Sequence, residues 1–225
     1  MIKTLFVTGA SQGIGFQICR QAAASGHKVF AVSRNTSSLK SLEGISYFNL
    51  DITDEVALLK VTESLVEQGV KIDALINNAG ALRNIPFETT TTADFEAVYK
   101  VNVFGLAAVT RALLPLMNGE GHVVNISSMG GLERTSKFPG LAAYSSSKAA
   151  VNILTELLAE EYKLTGPSFN ALALGAVQTE MLAKAFPDYK APLTAEKMAA
   201  YILNFAFEGQ QLYNGKILPV SSGTP

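Results

Sequence analysis

Tyr144 and Lys148 stand four residues apart in the run Tyr144-Ser145-Ser146-Ser147-Lys148, and their types and spacing suit proton transfer. On a helix this separation puts phenol and ammonium on one face, where a fixed cation favours phenolate over phenol. An unperturbed tyrosine titrates near ~10 and is a sluggish base at neutral pH, so such a cation makes it a better proton donor and acceptor. Pairs of this spacing also arise by chance on helix surfaces, so the neighbouring motifs decide. A second run, Thr8-Gly9-Ala10-Ser11-Gln12-Gly13-Ile14-Gly15, follows a short apolar stretch and opens a helical pattern. Glycines there let the backbone turn tightly and approach a pyrophosphate, whose charge is favoured by helix N-terminal amides. The spacing G-x-x-x-G-x-G is a variant of the dinucleotide fingerprint, although glycine turns between strands and helices also serve packing alone.

A dinucleotide site next needs a side chain at the end of the second strand to read the adenosine ribose. An acidic residue there binds the free 2′-hydroxyl of NAD, whereas a cation meets the 2′-phosphate of NADP. The sequence reads Val32-Ser33-Arg34-Asn35. It offers no carboxylate, and Arg34 presents a planar fork of donors to phosphate, with Ser33 as a neutral donor beside it. A solvated arginine at a strand end is the alternative. NADP is the expected cofactor. Three more polar clusters follow, at Asn77-Asn78-Ala79-Gly80, Val101-Asn102-Val103-Phe104-Gly105 and Asn125-Ile126-Ser127-Ser128. The first and third close predicted strands, and ligands of open parallel sheets bind beyond the carboxyl ends of the strands.

The elements that must position these groups are legible as alternating patterns. Thr4 to Val7, Val29 to Val32, Tyr47 to Leu50, Ala74 to Ile76, Val123 to Ile126 and Phe169 to Leu174 are short, nearly continuous apolar runs. Such runs suit strands buried on both faces of a parallel sheet. Between them lie helical spacings: Ile14, Ile18 and Ala22; Val56, Leu59, Thr62 and Val66; Val151, Leu154, Leu158 and Tyr162. Strands alternating with helices predict βαβ units and a doubly wound sheet. The cluster Thr89 to Thr92 before Ala93-Asp94-Phe95 reads as a helix cap. Gly166-Pro167 separates the long helix from the next strand.

The chain has 225 residues, 48% hydrophobic and 16% charged, which predicts one compact domain over 1–225. Such a chain buries roughly 70% of its unfolded surface and needs no disulfide or metal to hold a core. Its single cysteine, Cys19, suits a reducing compartment, and a cytoplasmic location is expected. A formal charge of -1 leaves no cationic excess for nucleic acid or an anionic membrane. No run reaches the ~18 consecutive apolar residues of a membrane span. Met1 to Gly9 lacks the apolar region and cleavage site of a signal peptide and reads as a first strand. His27 and His122, without a cysteine cluster or paired histidine, are expected at the surface, and no metal site is expected.

In their order and separation, T-G-A-S-Q-G-I-G at 8–15, N-N-A-G at 77–80, the asparagine of V-N-V-F-G, N-I-S-S and Y-S-S-S-K resemble the short-chain dehydrogenase/reductase family over essentially the whole chain. The resemblance implies an α/β fold: a single Rossmann-like doubly wound domain with a seven-stranded parallel sheet flanked by helices. It implies a catalytic tetrad of Asn102, Ser128, Tyr144 and Lys148. Tyr144 then protonates a carbonyl oxygen that Ser128 orients and polarises. Lys148 lowers the tyrosine pKa and holds the nicotinamide ribose, and Asn102 disturbs its helix to seat a water that links Lys148 to solvent. Ser127 remains a structural hydroxyl. The cofactor contacts implied are Gly9, Ser11, Gln12, Gly13, Ile14 and Gly15 in the turn; Ser33 and Arg34; Asp51 and Ile52; Asn78, Ala79 and Gly80; Tyr144 and Lys148; and Val177 and Thr179. Asp51 also reads as a helix cap. The helix with Phe95, Val98, Val101 and Phe104 and that from Tyr144 to Tyr162 resemble the family's interface pair, which implies a homodimer or homotetramer.

The expected activity is reversible reduction of a small or medium carbonyl compound to an alcohol. A dinucleotide-binding sensor with little turnover is the rival, and an altered tyrosine or lysine would favour it. A sugar-nucleotide epimerase is disfavoured because little chain follows the seventh strand. Leu174 stands where the family usually has proline before Gly175, which loosens that turn. Glu133 to Lys137 reads as a polar loop near the pocket mouth, and Ile217 to Gly223 as the last strand and its turn. Met129, Leu132, Phe138, Leu141, Met181 and Phe186 are expected to line an apolar substrate pocket, and Met117 to join the core. Thr179 to Ala195, with few capping signals and no cation cluster, reads as a mobile cover for an apolar or aromatic carbonyl.

Overall fold

The computed structural model describes residues 1–221. Ser222 and Gly223 of the expected terminal turn lie outside the described residues. The chain runs β1 (Thr4–Thr8), α1 (Gly13–Ala24), β2 (Lys28–Ser33), β3 (Ile45–Asn49), α2 (Glu55–Glu67), β4 (Ile72–Asn77), α3 (Thr92–Tyr99), α4 (Leu106–Leu113), β5 (Met117–Ser128), α5 (Ala142–Glu161), β6 (Ser168–Leu174), β7 (Val177–Gln178), α6 (Glu180–Ala185), β8 (Leu193–Thr194), α7 (Ala195–Glu208) and β9 (Lys216–Val220). Seven strands form one parallel sheet in the order β3-β2-β1-β4-β5-β6-β9. The order reverses between β1 and β4, so a crevice opens beyond their carboxyl ends.

The sheet has an apolar layer on each face. One joins Leu5, Val7, Ile76 and Val124 to Ile18 of α1 and Met198 and Ile202 of α7. The other joins Phe6, Leu75, Val123 and Phe169 to Leu58 of α2, Val109 of α4 and Ala159 of α5. Met117 is buried in the second layer. Asn77 and Asn125, paired across β4 and β5, are buried as well. Asn77 Nδ2 donates to Asn125 Oδ1 at 2.9 Å and Thr110 Oγ1 at 3.0 Å, and Asn125 Nδ2 donates to Thr155 Oγ1 at 2.9 Å. These two motif asparagines therefore tie the central strands to α4 and α5.

Several elements differ from their sequence patterns. On α2, Val56, Leu59 and Val66 are exposed, while Leu58 and Leu65 face the core. The helix is as expected but its buried face is rotated, because two leucines at a seven-residue interval carry its packing. A short 3-10 turn at Ser38–Ser41 replaces an α-helix between β2 and β3. β3 is an edge strand, so Tyr47 is partly exposed and the strand is not buried on both faces. The helical stretch Thr92–Leu116 is long and apolar enough to cross a membrane by length and composition, although no long uninterrupted apolar run marks it. Much of its apolar content, including Val98, Leu106, Val109 and Leu113, is buried in the protein.

His122 corrects the surface reading of the histidines. It is fully buried: its Nδ1 stands 3.3 Å from the Ala206 carbonyl oxygen and its Nε2 2.9 Å from Asn170 Nδ2. The neutral ring with its proton on Nδ1 satisfies both partners. His27 is half-buried, and its Nδ1 accepts from the Lys3 amide at 3.1 Å.

Candidate active site

The glycine turn is built by close backbone approach. Gly9 and Gly13 have φ of +67° and +55°, the region that favours glycine. A Cβ on Gly9 would lie 2.7 Å from Ala79 Cα, and one on Gly15 only 2.4 Å from the Gly9 carbonyl oxygen. Thr8 Oγ1 accepts from the amides of Asn78 and Ala79, both at 3.0 Å. Asn78 Nδ2 donates back to the carbonyls of Thr8 and Gly9. The loops after β1 and β4 are thus laced together, and α1 opens at Gly13 with no side-chain cap from Gln12. This open cradle at a helix N-terminus fits a pyrophosphate.

A cavity of about 990 Å³ runs from this turn to Tyr144 and Lys148. Gly9, Ser11, Gln12, Gly13 and Ile14 line it, as do Ser33, Arg34, Asp51, Ile52, Asn78, Ala79, Gly80, Val177 and Thr179. Gly15 does not line it; its role is the contact with Gly9. At the second-strand end, Asn49 Nδ2 donates to the Arg34 carbonyl. The Ser33 hydroxyl donates to Ser11 Oγ at 2.8 Å, so its proton is already engaged. Asp51 accepts from the amide and hydroxyl of Thr53 at 2.9 and 2.8 Å, whereas the cap of α2 is Asp54. Burial pushes the Asp51 carboxyl up, but the Thr53 donors and the charges of Arg34 and Lys100 outweigh it and leave its pKa below the ordinary value.

At the other end, Ser128, Tyr144 and Lys148 share the cavity wall. α5 places Tyr144 and Lys148 one turn apart, and Lys148 Nζ lies 5.8 Å from the Tyr144 ring centroid. The ammonium donates to the Ile126 carbonyl at 2.7 Å, and burial lowers its pKa to about 8. The Tyr144 phenol is pushed above its ordinary value by burial, with a hydrogen bond to Ser128 opposing. Burial thus outweighs the expected lowering of the tyrosine by Lys148, and the phenol is held protonated. The cation spends a hydrogen bond on Ile126 and faces the ring.

Asn102 lies behind this wall and does not line the cavity. It sits in a π-helical turn, Lys100–Gly105, between α3 and α4. The extra residue in such a turn re-aims a side chain. Asn102 Oδ1 accepts from the Ala81 amide at 2.7 Å, and Nδ2 donates to the Ala81 carbonyl and Ser147 Oγ at 3.0 and 2.9 Å. It clamps the loop after β4 to α5. Ser127 is buried and its hydroxyl donates to the Lys148 carbonyl at 3.3 Å.

Met129, Phe138, Leu141, Met181 and Phe186 line the rest of the cavity, but Leu132 does not. Glu133 to Lys137 lies outside the lining and folds on itself, with Thr135 Oγ1 donating to the Met129 carbonyl. Sequence reasoning passed over Ile126, whose carbonyl holds Lys148, and Arg83 and Lys184, which also line the cavity. A backbone acceptor leaves no signature in residue type, and the two cations lie outside the recognised motifs. The segment from Thr179 to Ala195 carries more regular structure than its residue pattern predicts: Thr179 caps α6 by accepting from the Leu182 amide at 3.2 Å, and β7 pairs with β8 at its base.

A family model described as short chain dehydrogenase matches residues 3–190. The 3-oxoacyl-(acyl-carrier-protein) reductase FabG of Thermotoga maritima is 31% identical over 243 residues, covering 98% of this chain and 97% of that protein. The 3-ketoacyl-(acyl-carrier-protein) reductase from Brucella melitensis, solved with NADH, superposes with a TM-score of 0.88 at 26% identity, covering 99% and 98% of the two chains. A short chain dehydrogenase from Burkholderia cenocepacia J2315, solved with NADP, gives 0.86 at 24% identity, covering 99% and 97%. Since the model match takes in most of the chain, this protein belongs to the short-chain dehydrogenase/reductase family of oxidoreductases.

Proposed function

We propose that this protein is an NADP-dependent reductase that converts a small or medium, largely apolar carbonyl compound to an alcohol and runs in both directions. The observation that carries this reading is one cavity joining the glycine cradle to Tyr144, Ser128 and Lys148. The glycine cradle would hold the pyrophosphate, Arg34 the 2′-phosphate, and Lys148, Val177 and Thr179 the nicotinamide end. Bound there, NADPH supplies a hydride to the carbonyl carbon. Ser128 Oγ orients the carbonyl oxygen, and the Tyr144 hydroxyl donates its proton to that oxygen as negative charge develops on it. Lys148 stabilises the phenolate left behind. Asn102 holds the loop and helix that frame the site. The apolar wall of Met129, Phe138, Leu141, Met181 and Phe186 excludes water from the reacting carbonyl.

Oxidation of NADPH and NADH, each against a panel of aldehydes, ketones, diketones, quinones and pterins, tests activity and cofactor together. Turnover with NADPH at least about tenfold favoured is expected, since one charge-assisted bond from Arg34 is worth ~1.5–3 kcal/mol. Arg34→Asp should weaken NADPH and leave NADH comparatively unharmed; equal use of both by the wild type would make Arg34 an ordinary exposed arginine. The same reading takes residues 1–225 as one domain, in a cytoplasmic setting that the buried, unreactive Cys19 supports. Exposed Phe104, Ile153 and Leu157 support a homodimer or homotetramer.

A further inference from the structure

Two cations at the substrate end of the cavity have no part in the chemistry above. Arg83, on the loop after β4, and Lys184, on α6, line it; the Arg83 loop is tied to α6 by Asn84 Nδ2 donating to the Ala185 carbonyl at 2.9 Å and to the segment before Leu141 by the Ile85 amide donating to the Gly140 carbonyl at 2.9 Å. Arg83 is anchored. Its Nη1 donates to Asp94 Oδ1, and Asp94, only 9% exposed, accepts through its other oxygen from the Thr91 amide and hydroxyl at 2.9 and 2.7 Å. That carboxylate is fixed because it completes the capping box of α3. The guanidinium is thus held on one side by a rigid element while half of the side chain, 50%, stays exposed. A guanidinium carries five donors in a planar fork, so a single anchor leaves donors for a second anion.

The acidic residues of the same lining stand at the nucleotide end. Asp51 lies within the field of Arg34, and a Cβ on Gly13 would meet Glu180 Oε2 at 3.3 Å. The substrate end therefore combines apolar walls with positive charge. We propose that the carbonyl substrate carries a carboxylate at the far end of an apolar body, bound by Arg83 with Lys184 adding a second positive charge. This inference rests on the carbonyl-reductase reading and narrows its substrate class to keto acids whose two functions are separated by apolar carbons.

The test uses keto acids of increasing spacer length, each paired with its methyl ester, assayed with the full-length protein and NADPH. At one spacer length the acid should show a KM at least about tenfold below that of the ester, the effect of one charge-assisted contact. Arg83→Gln should erase this difference, Arg83→Lys should keep part of it through charge without the fork, and Lys184→Gln should reduce it less. Acid and ester treated alike at every length by the wild type would overturn the inference while leaving carbonyl reduction intact. If no pair is reduced, the panel of aldehydes, ketones, diketones, quinones and pterins decides the carbonyl-reductase reading, and equilibrium binding of the same pairs to the protein with NADP⁺ decides the anion site separately. Acid-selective binding that Arg83→Gln abolishes supports it; equal binding of acid and ester overturns it.

Discussion

A phenol raised above its ordinary pKa by burial is protonated throughout the neutral range, which is the form that reduction requires. Tyr144→Phe deletes the donor and preserves ring volume, so cofactor binding should persist while reduction falls ~10²–10⁴-fold. Initial rates of NADPH oxidation alongside a cofactor titration measure both, and a loss under about threefold is too small for a general acid. Lys148 sets the pH limit instead of the tyrosine. Its burial lowers it to about 8, so it loses its proton first as pH rises. Below that value the cation offsets the charge left on the phenol; above it the support is gone. Reduction is expected to decline as pH rises through about 8, and Lys148→Met should be slow at all pH and lack that limb. A wild-type profile flat from pH 7 to 9.5 would remove Lys148 from this role.

Among the elements, the cover from Thr179 to Ala195 bears most directly on turnover. Its base is pinned by β7 and β8 and by Gln178 Oε1 accepting from the Ala191 amide at 2.9 Å, and its middle by Asn84 Nδ2 donating to the Ala185 carbonyl at 2.9 Å. Phe186 and Tyr189 line the cavity from it, and Glu180 stands beside Gly13 where a pyrophosphate would bring like charge. We expect α6 to shift on cofactor binding and the segment to tighten around ligand. Hydrogen exchange should therefore show greater protection of 179–195 with NADPH and substrate together than in the free protein; unchanged protection would count against a moving cover. The sequence made the central strands legible because strands covered on both faces leave continuous apolar runs, as at Leu5 to Val7 and Val123 to Val124. It made the glycine turn and the tyrosine–lysine pair legible because their chemistry depends on side-chain type and spacing. Three features escaped it. The buried face of α2 differs from the residue pattern because exposed Val56, Leu59 and Val66 also fit a helical period. The capped α6 is too short to show one, and Arg83 owes its position to a capping box eleven residues further on, visible only once the loop is folded.

On the scale of the whole molecule, His122 links β5 to β6 through Asn170 and to α7 through the Ala206 carbonyl. Asn170 in turn holds the edge strand, accepting from the Lys216 amide and donating to the Tyr213 carbonyl, both at 2.9 Å. Burial lowers the pKa of His122 from 6.5 to about 4, against the pull of backbone carbonyls that favour the charged ring. The unfolded chain therefore binds a proton on this residue at a higher pH than the folded one. The stability contributed by the neutral ring is fully present above pH 6.5 and is lost as pH falls from 6.5 through about 4. Over the whole window the loss is on the order of 3 kcal/mol, a large share of a typical domain's stability. Protonation would also place a donor on Nε2 facing the Asn170 amide, so the contact itself turns from bond to clash. Denaturant unfolding at pH 7.5 and pH 4.5 should show a fall in stability for the wild type that is smaller in His122→Leu. That variant should be less stable at pH 7.5, because it leaves the Ala206 carbonyl without its side-chain donor and one proton of the Asn170 amide without its acceptor. The other titratable groups are common to both proteins, so the difference between the two pH responses isolates the histidine. Equal responses in wild type and variant would mean that acid sensitivity arises elsewhere and that the core tolerates His122 in either form.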